Sequence, residues 1–69
     1  MKITHTNDDG EHRIAVEIKR NSFSPDKKDW QIVIIGRGHS KHEMAENALK
    51  TIDEINGALV EAKKSLEEI

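Results

Sequence analysis

The 69-residue chain has no cysteine and no tyrosine, and only one proline, one tryptophan and one phenylalanine. Without cysteine there is no disulfide, no thiolate metal ligand and no cysteine nucleophile. Two aromatic residues are too few for a base-stacking platform, which argues against aromatic recognition of single-stranded nucleic acid. No apolar run approaches membrane-spanning length and no signal-peptide core is present, so the chain is expected to be soluble and cytoplasmic, with no membrane partner. Positive charge is not in excess either. Eleven Lys and Arg against thirteen Asp and Glu give a net charge of −2. Binding of nucleic acid would need basic residues concentrated on one surface. A chain of this length forms one domain, 1–69, near the lower limit for a self-sufficient core.

What is present is pattern. Residues 1–7 alternate weakly around Ile3, and Asn7-Asp8-Asp9-Gly10 is a hairpin turn signal, because Gly and Asx residues tolerate positive φ. From His12 to Arg20 the alternation is clean, with Ile14, Val16 and Ile18 on one face. Asn21 to Lys28 is polar, holds Pro25 and predicts a loop. Trp30 to Ile35 is rich in β-branched residues; Trp30, Ile32 and Ile34 are assigned to the core. Val33 and Ile35 then share the opposite face with Ala15, either as a consequence of strand propensity or as a partner surface. Ser40-Lys41-His42-Glu43 is a capping box, and the apolar positions Ala45, Ala48, Ile52, Ile55, Leu59, Ala62, Leu66 and Ile69 keep one helical face to the last residue. Met44 and Leu49 widen this stripe. The expected fold is α+β: a three-stranded antiparallel meander (strands about 1–7, 12–20 and 29–36) followed by one long C-terminal helix (about 41–68) packed on the sheet. Gly57 interrupts propensity but not phase, so a single helix is preferred to a helical hairpin.

Lengths do not match. A helix of roughly 28 residues spans about 42 Å, whereas a seven-residue strand covers about 23 Å. Leu59, Ala62, Leu66 and Ile69 therefore need another surface, and a second copy of the same helix is the simplest candidate. The order of elements also brings two connections to one end of the sheet. Gly10 and His12 are expected near Arg37, His39, Lys41 and His42, while Lys19, Arg20, Lys27 and Lys28 gather at the other end. A capped helix start with basic side chains suits a phosphate.

The segment from Asp9 to Leu49 resembles a double-stranded-RNA-binding domain without its first helix. Gly10-Glu11-His12 is similar to the loop motif between that family's first two strands, without the usual proline. Gly36-x-Gly38-x-Ser40-Lys41 is similar to the start of its last helix, and Ala48 and Leu49 sit where small packing residues follow. The resemblance implies that Lys41 and His42 face phosphates across the RNA major groove and that His12 reaches the minor groove with its 2′-hydroxyls. His42 and Ala45 stand where further lysines are usual, and no first helix precedes Met1. Each missing lysine removes one counterion-releasing contact.

Catalytic chemistry is not expected. Ser40 lies near His39 and His42, but its hydroxyl is committed to the helix cap. Four histidines do not by themselves assemble a metal site, and no cofactor motif is present. Asp8, Asp9 and Glu11 are most simply a polar turn. Two functions fit the pattern. One is a non-catalytic duplex-RNA-binding module, acting through Gly10, His12, Arg37, His39, Lys41 and His42, and a homodimer through Leu59, Ala62, Leu66 and Ile69. The other is a protein-interaction or inhibitor module on the same scaffold, of the kind that phage-type regulators use.

Overall fold

The computed structural model describes residues 1–20 and 30–69. The loop expected over Asn21 to Lys28, with Lys27 and Lys28, and the strand start expected at position 29 lie outside the described residues. The elements are β1 (Lys2–Asp8), β2 (Glu11–Arg20), β3 (Trp30–Gly38) and α1 (Lys41–Glu67). The strands form one antiparallel sheet in the order β1-β2-β3, so β1 and β3 are both edges. This is the α+β meander-plus-helix arrangement that the alternation and the helical stripe predict, with α1 continuous through Gly57.

Asp9 (φ 51°) and Gly10 (φ 82°) form the two-residue turn between β1 and β2. Two consecutive positive φ values match the type I′ twist that joins strands directly, and Gly10 takes one of them without a Cβ penalty. The turn sets the register: Asp8 opposes Glu11, His5 opposes Ile14, and Ile3 opposes Val16. Across the other ladder His12 opposes Gly38, Ile14 opposes Gly36, and Val16 opposes Ile34. Opposed residues project to the same side. One face therefore carries Ile3, His5, His12, Ile14, Val16, Ile18, Ile32 and Ile34, and the other carries Thr4, Thr6, Arg13, Ala15, Val33, Ile35 and Arg37.

The helix packs on the first face, over β3 and the near side of β2, and does not reach β1. Its approach to β3 is unusually close because two glycines permit it. A Cβ at Gly36 would collide with the Met44 carbonyl and would stand 2.6 Å from the Ala48 nitrogen; one at Gly38 would stand 2.7 Å from the Met44 nitrogen. Among the described residues the buried hydrophobic core is correspondingly small: Ile34, Met44 and Ala48. Ile32, Ile52 and Ile55 are half-buried around it, while Trp30 is exposed. The stripe is centred one position away from the expected line: Met44 is inside and Ala45 is exposed. The glycines are what draw Met44 onto the strand. Ser40 caps the helix by accepting from the Glu43 amide at 3.1 Å. The Glu43 side chain, expected to return the bond, lies over Gly38 instead.

Candidate functional site

The two connections do meet at one end of the sheet, and the ladder shows how. His12 is paired with Gly38, the last residue of β3, and Arg13 with Arg37. The side chains, however, divide between the two faces. His12 points to the helix side, where its Nδ1 lies 3.1 Å from His5 Nε2 and the rings stack with centroids 5.3 Å apart. Arg37 points to the open side beside Arg13. Lys41 and His42 are exposed on the first turn of α1, and Gly10 is exposed in the hairpin turn.

Two shallow hollows mark this end. The larger, about 280 Å³, is lined by Glu11, Arg37, Gly38, His39 and Glu43. The other, about 200 Å³, lies on the open face and is lined by Thr6, Asp8, Glu11, Arg13 and Arg37. The first is lined by one arginine and two glutamates, and the second by two arginines and two acidic residues. Arg13 opposite Arg37 would repel as an isolated pair, and Asp8 and Glu11 beside them offset that repulsion. Charge at this end is therefore close to balanced rather than a cationic ridge. The backbone N–H groups of Gly36 and Gly38 are not free either. The I′ turn closes on a hydrogen-bonded Asp8–Glu11 pair, so alternation gives His12, Ile14, Val16 and Ile18 to β3, bonded to Gly38, Gly36, Ile34 and Ile32. Both glycines serve helix packing and the ladder.

The same alternation leaves the carbonyls of Ile35 and Arg37 pointing out of the sheet at the β3 edge. Two helix side chains reach them. Asn47 Nδ2 donates to the Arg37 carbonyl at 2.6 Å, and Thr51 Oγ1 lies 3.4 Å from the Ile35 carbonyl while bonding its own Asn47 carbonyl at 3.1 Å. The flank of α1 that bears Asn47 and Thr51 thus overhangs the outer edge. The opposite flank must face inward over β2 towards β1. That flank carries Ala45, Leu49, Ile52, Asn56 and Val60.

The result is a trough. Its wall is Leu49 and Ile52; its floor is Ile14 and Val16; its far rim is Ile3 on β1. Leu49 is 62 % exposed and Ile3 55 %. The trough was not visible from composition or periodicity, although the two-residue turn that fixes the ladder parity was the available signal. Below it, the helical stripe continues through the sequence-predicted interface residues: Leu59, Ala62, Leu66 and Ile69 are all exposed. No group of three or more His, Asp or Glu side chains is placed to hold a metal ion among the described residues, and none of their helices is long and apolar enough to cross a membrane.

No known protein family, no curated protein and no solved structure matches this chain.

Proposed function

We propose that the chain is a small non-catalytic protein-interaction module whose working surface is the trough between α1 and β1. One observation carries this reading. Among the described residues the fold buries three hydrophobic side chains and leaves Ile3, Leu49, Leu59, Val60 and Leu66 at or above half exposure. Large apolar areas of this kind on a soluble chain mark a contact surface. The two hollows at the turn end are open and shallow. A photo-crosslinkable residue at position 49 tests the reading in the cells that make the chain. Protein adducts are expected. A product free of any protein adduct would remove the proposal.

A second reading keeps duplex RNA as the partner. It is favoured by the convergence of Arg13, Arg37, Lys41 and His39 at one end, beside an uncovered helix start. Its weakness is the opposing set of Asp8, Asp9, Glu11 and Glu43. Binding to a duplex of about 20 base pairs should appear at low salt, fall steeply as salt rises, and be lost with Lys41→Glu. Absence of binding at low salt rejects this alternative without touching the first.

A further inference from the structure

Resting on the interaction reading, we propose that the occupant of the trough is the distal half of α1 from a second copy of this chain. The exchange is reciprocal, so that each helix end lies on the other protomer's β1–β2 face. Surface area is the first argument. The chain exposes 5873 Å², whereas a compact monomer of its 7.8 kDa mass would expose about 4400 Å². The radius of gyration tells the same story: 15.5 Å against about 11 Å for a compact domain of this length. A standard interface of ~800 Å² per partner would take about half of this roughly 1500 Å² excess, and the uncovered sheet face bearing Val33 and Ile35 accounts for part of the rest.

Chemistry is the second argument. Leu59, Leu66 and Ile69 stay in phase with the buried Met44 and Ala48 and the half-buried Ile55, so the distal stripe has the spacing of a core-forming surface and no sheet beneath it. The trough has the converse deficiency: an apolar floor and one helical wall, with nothing over β1. Both incomplete surfaces belong to the same chain. A two-fold pairing completes each with the other and closes without leaving a free end, as an isologous contact requires. The lengths agree as well. The ten residues from Val60 to Ile69 extend about 15 Å as helix, and the seven residues of β1 extend about 23 Å. His5 and His12, at the upper end of the floor, hydrogen-bond each other, which lowers the cost of covering them.

The complete absence of cysteine allows a direct test. Ile3→Cys and Leu66→Cys are placed in separate preparations of the full chain, mixed and oxidised. A mixed disulfide between the two variants is expected in preference to either self-linked product. A predominant Leu66→Cys self-link would place helix against helix and overturn the proposal. Sedimentation of the unmodified chain should give twice the protomer mass, and Leu66→Glu should reduce it to the protomer. A protomer mass for the unmodified chain at every concentration overturns the second copy as occupant. Together with protein adducts at position 49, that result would leave the interaction reading standing with a different partner. The same result without adducts would remove both.

Discussion

Two glycines in this chain do opposite things. At Gly36 there is no room: a methyl group would meet the Met44 carbonyl and both the nitrogen and Cβ of Ala48. The helix would have to lift from β3, taking Met44 away from Ile34. Gly36→Ala is therefore expected to destabilise the fold by about 2–3 kcal/mol, at the upper end of ordinary overpacking. At Gly57 nothing lies within 4 Å of an added Cβ, and the residue is within α1. Gly57→Ala should stabilise by about 1 kcal/mol through helix propensity alone. Urea titration of both variants checks the pair. A neutral Gly36→Ala would show that the helix does not rest on the strand backbone. In the sequence these glycines look alike, and the pair Gly36 and Gly38 is as compatible with a phosphate-facing loop as with a packing surface. Strand pairing separates the readings, by committing their N–H groups to β2.

At the level of elements, the helix blocks the outer edge of β3 and leaves β1 open. Unpaired edge carbonyls invite another strand, and Asn47 with Thr51 occupies two of them. Asn47→Ala removes one bond to the Arg37 carbonyl but also improves helix propensity, so a control is needed. Asp53→Ala, exposed on the outer face of the same helix, changes mainly propensity and should stabilise by about 0.6 kcal/mol. Asn47→Ala should fall about 1 kcal/mol below that control, the worth of a neutral hydrogen bond, and should raise the tendency to form sheet-rich aggregates on heating. Equal effects of the two substitutions would mean that the edge bond contributes nothing. The elements themselves were legible. Ile14, Val16 and Ile18 alternate because one face of β2 meets the helix, and Ser40 begins α1 because its hydroxyl takes an orphan amide. Leu49 was legible only as a widening of the stripe, because it lies to one side of the main line. Which side faces β1 depends on carbonyl directions set by a two-residue turn forty residues earlier in the chain.

For the whole molecule, the three buried hydrophobic residues among those described are few against the conformational entropy of ordering a chain, which costs on the order of 1–2 kcal/mol per ordered backbone residue. On the proposed pairing, a protomer completed by a second copy is stable only while the copies stay together. Its melting temperature must then depend on concentration. A tenfold dilution removes about 1.4 kcal/mol from the association term. For a two-chain unit of this size that corresponds to a fall of roughly 3–6 °C. Calorimetry across three decades of concentration should show that slope. Leu66→Glu should lower the melting temperature and abolish its dependence on dilution, because the charged side chain cannot enter the apolar trough without a partner. Ile55→Asp should unfold the chain at all concentrations, since Ile55 packs within its own protomer. A melting temperature that ignores dilution would mean that the thin helix-on-sheet layer holds by itself, and that its exposed stripe does not contribute to stability.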